Sequence, residues 1–142
     1  MKPRFIYLLS VAYRRLHGAI ARDTDGQTAA RAGLLMALSP EHGTPMGQLG
    51  AALDLGAPAI SNLVERATRA RLIERVPDPE DGRAWLVTLT KAGVAKRKEA
   101  IEGARVLNAQ LCDGFSEAEL AVVARWLEAV AHKFPKREES HD

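Results

Sequence analysis

Residues 44–93 read TPMGQLGAALDLGAPAISNLVERATRARLIERVPDPEDGRAWLVTLTKAG. Thr44-Pro45 is a helix start, because a Thr hydroxyl accepts from an orphan backbone N–H and Pro suits the first helical position. A short helix, Met46 to Leu53, is predicted to follow, and its small side chains let a second helix cross closely. Asp54-Leu55-Gly56 forms a tight turn, and Pro58 opens the next helix. That helix places Ile60, Leu63, Val64 and Ala67 on one side, spaced by three and four, which predicts a buried stripe. Ser61, Asn62, Glu65, Arg66 and Arg69 fall on its other faces, and it ends near Ala70 or Arg71. Two β-type runs, Leu72–Val76 and Ala84–Leu89, then flank the Pro/Asp/Gly-rich segment Pro77–Arg83 and predict a hairpin with a long polar loop.

Outward from this stretch the chain is helical. Phe5, Leu8, Leu9, Ala12, Leu16 and Ile20 have helical spacing. Asp23, Asp25 and Gly26 mark a turn, and Thr28 to Leu38 reads as a second helix broken by Ser39, Pro40 and Gly43. Thr90 caps a long helix from Lys91 to about Cys112, which Asp113-Gly114 ends. Ser116, with Glu119 three residues later, forms a capping box. In the helix that follows, Leu120, Val123, Leu127, Val130 and Phe134 form a seam of the kind a partner helix covers. The fold class is therefore mainly α with a small β-hairpin wing. Residues 39–90 form a winged helix-turn-helix lobe, and residues 1–38 and 91–142 a helical region.

Composition narrows the function. At 142 residues, 46% hydrophobic and 27% charged, the chain is an ordinary globular protein able to bury a core. No apolar run is long enough for a membrane span. The N-terminal apolar stretch lacks a signal-peptide cleavage pattern, since Arg14 and Arg15 interrupt it. Cys112 is the only cysteine, so no intrachain disulfide is possible, and a cytoplasmic location is expected. The tail from Lys136 to Asp142 is polar and is expected to fray. Net charge is only +2, yet nine basic residues (Arg66, Arg69, Arg71, Arg75, Arg83, Lys91, Lys96, Arg97, Lys98) face four acidic ones between Arg66 and Lys98. Such a local excess suits a polyanion.

A helix-turn-helix followed by a wing suits duplex DNA. The major groove displays a distinguishable pattern of donors and acceptors. The helix that enters it needs short side chains on its first turns, and here these are Ala57, Pro58, Ser61 and Asn62. Ser61 and Asn62 can each meet a base or a phosphate, and Arg66 and Arg69 suit phosphates. The first helical N–H groups near Thr44 and Pro58 can also hold phosphate oxygens. On the wing tip, Arg83 can enter the minor groove, whose negative potential attracts guanidinium. Asp81, across Gly82, is placed to orient it.

These residues carry a resemblance to the MarR family (multiple antibiotic resistance regulators). The similarity runs through Thr44–Leu49, Ala59–Arg66, Leu72–Arg75, Pro77–Arg83 and Val87–Gly93, and the wing motif followed by Leu-Thr-x-x-Gly is its most specific part. The resemblance implies a homodimer with interlocking N- and C-terminal helices that binds a pseudo-palindromic operator on double-stranded DNA, usually as a repressor. It implies release by a small phenolic or anionic effector at the junction of the dimer and DNA lobes. It also implies that Arg83 is the wing arginine with Asp81 its partner, and that Ser61 and Asn62 face the major groove. Two residues depart from the family pattern. Arg71 stands where Gly is usual, so a differently shaped helix end is expected. Ala67 replaces a larger apolar residue, so looser packing under the recognition helix is expected.

Other chemistry finds little support in the residues. His17, His42, His132 and His141 lack a metal-ligand spacing. Cys112 reads as buried in a helical interface rather than as a redox sensor, and Trp85 and Trp126 as core or interface. Arg14, Arg15 and His17 read as a solvated helix face rather than an anion pocket. No nucleophile elbow, phosphate loop or convergent His, Asp and Ser set points to an enzyme, and no cofactor is expected. Two rivals to a sequence-specific regulator remain: a winged helix used for protein contact, and an architectural dimer that binds DNA without sequence preference.

Overall fold

The computed structural model describes residues 2–23 and 28–137. Six helices and three short strands follow in the order α1 (Phe5–Asp23), α2 (Ala29–Ala37), β1 (Thr44–Pro45), α3 (Met46–Leu53), α4 (Ala57–Arg69), β2 (Ile73–Pro77), β3 (Trp85–Leu89), α5 (Lys91–Cys112) and α6 (Glu117–Lys133). Asp25 and Gly26 of the expected turn, and the tail beyond Arg137, lie outside the described residues.

The core sits inside the winged lobe. Leu34, Leu35 and Leu38 of the α2 end, Leu49 of α3, Ile60, Leu63, Val64 and Ala67 of α4, Leu72 and Ile73, and Val87 of β3 form one buried cluster. The stripe expected on α4 is therefore its buried face in full. Burying a Leu or Val side chain is worth about 1.5–3 kcal/mol, so this cluster accounts for most of the cohesion within the chain.

The sheet holds one more strand than the sequence reading gave. Thr44–Pro45 pairs antiparallel with β3, Thr44 opposite Val87 and Pro45 opposite Leu86, in the strand order β1-β3-β2. Thr44 is thus not the cap of α3; Pro45 occupies that position with no side-chain hydrogen bond. Pro is tolerated here because β1 is an edge strand. Gly43 permits the approach, since a Cβ there would lie 2.9 Å from the Leu86 Cβ.

Helix ends show why the remaining boundaries fall where they do. Thr28 caps α2 by accepting from the Arg31 N–H. Asp54 adopts a left-handed conformation, φ 53°, which closes the turn between α3 and α4. Arg71 does the same at φ 60°, and the Leu72 N–H donates to the Ala67 carbonyl. The helix end therefore has the left-handed closure usually given to Gly, contrary to the expected change of shape, and the larger residue carries the conformational cost. Ala67 is fully buried.

Thr90 locks the wing to the long helix. Its N–H donates to the Leu72 carbonyl at 3.0 Å, its hydroxyl donates to the Arg71 carbonyl at 2.7 Å, and the same oxygen accepts from the Gly93 N–H at 3.0 Å. Gly93 packs so tightly on Leu72 that a Cβ would lie 1.8 Å from that carbonyl oxygen. This contact is the physical content of the Leu-Thr-x-x-Gly motif. Further along α5, Arg97 Nε donates to the Leu38 carbonyl at 3.0 Å and ties the helix to the end of α2.

The outer helices bury little within the chain. α6 begins with the expected capping box, Ser116 with Glu119, yet has no buried residue. Val123 and Leu127 of its seam are 48% and 47% exposed, and Phe5, Ile6, Leu8 and Tyr13 of α1 are exposed as well. Phe5 meets Trp126 at 5.0 Å between ring centroids. Among the described residues, no helix is long and apolar enough to cross a membrane.

Candidate nucleic-acid interface

α4 is held rigidly from below and open above. With Ile60, Leu63, Val64 and Ala67 fixed in the core, Ala57, Pro58, Ser61, Asn62, Arg66 and Arg69 all lie exposed. Gly56 caps the helix through its backbone alone, with no side-chain cap bond. Its first N–H groups therefore face outward with the positive end of the helix dipole. The N-terminus of α3 has no side-chain cap bond either, so the first helical N–H groups near Thr44 are those of Met46 and Gly47.

The two helices cross over small residues, as their composition suggests. Gly50 sits 3.2 Å from the Leu55 carbonyl oxygen, measured from an added Cβ. An open groove of about 510 Å³ runs between them, lined by Gly47, Ala51, Ala57 and Ser61, with Lys136 at its rim. Lys136, expected in a frayed tail, lines the same groove as Ser61 and brings to it a cation that the sequence reading missed. The only signal for it was its basic character.

Charge on this surface is partly committed. Arg69 forms an ion pair with Glu65 one turn back, and Lys96 pairs with Glu99 at 3.2 Å. Arg66 and Arg83 make no ion pair among the described residues. At the wing tip the Asp81 carboxylate accepts from the Arg83 backbone N–H at 3.1 Å, and Asp78 accepts from the Glu80 N–H at 2.9 Å. Asp81, expected to orient Arg83, acts on its backbone: it shapes the turn that presents Arg83. The Arg83 side chain is exposed on the wing.

Trp85 is not part of the core; it is 45% exposed on the wing, with the Arg75 guanidinium 5.3 Å from its ring centroid. Cys112 is half-buried. His141 lies outside the described residues, among which no cluster of three or more His, Cys, Asp or Glu could hold a metal ion.

Comparison with known proteins gives this geometry a family. The model of the MarR family matches residues 25–84. A crystal structure of the MarR family transcription regulator SP03579 superposes with a TM-score of 0.70 at 30% identity, covering 89% of this chain and 83% of that one. The chain belongs to the MarR family. A probable transcriptional regulator from Pseudomonas aeruginosa is also 30% identical, with a TM-score of 0.79 over 89% of this chain and 96% of that one. Among more distant MarR-like folds, S. aureus MepR, solved in complex with DNA, has a TM-score of 0.84 at 20% identity, over 94% of this chain and all of that one. No curated protein sequence matches. As in other MarR family members, the winged helix-turn-helix is mainly helical with a small antiparallel sheet.

Proposed function

We propose that this MarR family protein is a homodimeric, sequence-specific DNA-binding transcription regulator of the cytoplasm, acting as a repressor on a pseudo-palindromic operator. The observation that carries the reading is α4 itself. Its apolar face is wholly buried while Ala57, Pro58, Ser61 and Asn62 stand exposed on its first turns, beside a wing that holds up an exposed Arg83 with no ion pair among the described residues. In this reading residues 39–90 are the DNA-binding lobe. Ser61 and Asn62 read base edges in the major groove, and Arg66, with Arg69 once it leaves Glu65, meets phosphates. Backbone N–H groups next to Thr44 and Pro58 take further phosphates. Arg83, presented by the turn that Asp81 shapes, enters the minor groove.

Dimerisation through residues 1–38 and 91–142 is supported by the apolar side chains that α1 and α6 leave exposed in the single chain, among them Phe5, Ile6, Leu8, Val123 and Leu127, which a partner's helices would cover. Two-fold symmetry then spaces the recognition helices by about one turn of DNA, ~34–36 Å. Relief by a small phenolic or anionic ligand between the lobes would work by favouring a lobe spacing that misses both half-sites.

Selection from random duplexes with the purified protein tests this reading. Enrichment of a two-fold-symmetric sequence supports it. Binding without enrichment would leave an architectural role, and no binding at all would leave a protein-contact module.

A further inference from the structure

The wing carries a second cation whose surroundings are unusual. In the β2–β3 register, Ile73 faces Leu89, Arg75 faces Val87 and Pro77 faces Trp85. Directly opposed residues share one side of a sheet, so these six lie on the side that contributes Ile73 and Val87 to the core beneath α4. Toward the loop that same side leaves the core. A solvated wing would be expected to turn polar there, yet it presents Trp85, 45% exposed, with the Arg75 guanidinium 5.3 Å from its centroid. Glu74, the adjacent carboxylate, projects to the opposite side by strand alternation. Arg75 makes no ion pair among the described residues.

Resting on the DNA-binding reading above, we propose that Arg75, held against the Trp85 ring, binds a backbone phosphate of the duplex between the groove read by α4 and the groove entered by Arg83. Trp85 is a positioning residue. The placement follows from the sheet: the Arg75–Trp85 side is the recognition-helix side. Val87, opposite Arg75, is four residues from Arg83, a reach of at most about 13 Å along an extended strand. The phosphate backbone separates the two grooves, so a cation between the reading helix and the wing tip meets it. The ring contributes by restricting a side chain that otherwise carries about 2 kcal/mol of rotamer entropy, through an attraction that leaves the outward N–H donors free. A carboxylate partner would instead occupy those donors.

The test measures binding of the full-length protein to its selected duplex between about 50 and 200 mM salt, for wild type, Arg75→Ala, Arg75→Lys, Arg75→Gln and Trp85→Leu, with thermal unfolding in parallel. Loss of one phosphate contact per chain lowers the slope of log K against log salt by about 0.9 per chain bound. Arg75→Ala and Arg75→Gln are expected to show that loss. Arg75→Lys keeps the slope, and Trp85→Leu keeps the slope while weakening binding roughly threefold, about the strength of an exposed cation–π contact. A merely structural staple would lower the unfolding temperature and leave the slope intact. That result in both Arg75→Ala and Arg75→Gln overturns the proposal while the DNA-binding reading stands. A wild-type protein that selects no duplex overturns both.

Discussion

Replacing Gly93 by Ala should disable the junction between the wing and the long helix. The added methyl would lie 1.8 Å from the Leu72 carbonyl oxygen and 2.9 Å from its carbon, where ordinary contact begins near 3.4 Å. Both are backbone atoms, so no side chain can swing aside and α5 must retreat. Retreat stretches the Thr90 N–H bond to that same carbonyl, 3.0 Å, and the Thr90 hydroxyl bond to Arg71, 2.7 Å. Each lost hydrogen bond costs about 1 kcal/mol, and overpacking adds about 1–3 kcal/mol. Ala regains about 1 kcal/mol of helix propensity. The net loss is then about 2–4 kcal/mol, which lowers a urea midpoint by roughly 1–2 M at an m-value typical of small domains. The assay is denaturant unfolding at one fixed chain concentration, because association couples to stability. Gly103→Ala in the same helix is the control; its Cβ meets nothing within 4 Å inside the chain, so it should be neutral or slightly stabilising. Loss of less than about 0.5 kcal/mol in Gly93→Ala, below the usual cost of overpacking, would refute the reasoning, as would equal behaviour of the two variants.

Arg71→Gly should raise stability by about 0.5–1 kcal/mol in thermal unfolding, because Gly holds φ 60° without the Cβ clash; a loss would mean that the Arg side chain supplies an unrecognised contact. Leu127→Lys, on the half-exposed seam of α6, should shift the protein to monomer in sedimentation equilibrium, and an unchanged dimer would place the interface elsewhere. Hydrogen bonds from the backbone N–H and hydroxyl of Ser116 hold the Glu119 carboxyl below its usual range. Its stabilising effect is therefore present above the ordinary carboxylate pKa and fades as pH falls through the lowered folded value. The stability gap between wild type and Glu119→Ala, followed by circular dichroism of unfolding, should shrink in acid; a gap that widens there would reverse the assignment.

Much of this molecule is written in local spacing. The α4 stripe, the Thr90 and Ser116 caps and the β2–β3 hairpin depend on residues close in sequence, where periodicity and capping chemistry operate. β1 escaped notice because two residues carry no period, and Pro45 reads more readily as a helix start. Its pairing is fixed by Gly43 meeting Leu86, far along the chain. Spacing placed Asp81 beside Arg83, but whether its carboxylate takes a backbone N–H or a guanidinium is a matter of turn geometry that spacing does not settle. Arg75 and Trp85 meet only through the strand register, and Lys136 reaches α4 only through the path of α6. The α6 seam was legible from its spacing, and Val123, Leu127 and Phe134 on it stay exposed in the single chain.

The central claim is that two copies place α4 in successive major grooves with Arg83 in a minor groove. Hydroxyl-radical footprinting of the selected duplex tests it most directly. Two equal protections are predicted, symmetric about the dyad and one turn of DNA apart, with minor-groove protections that vanish in Arg83→Ala while the rest persist. A single asymmetric protection, or a footprint that Arg83→Ala leaves unchanged, would contradict it.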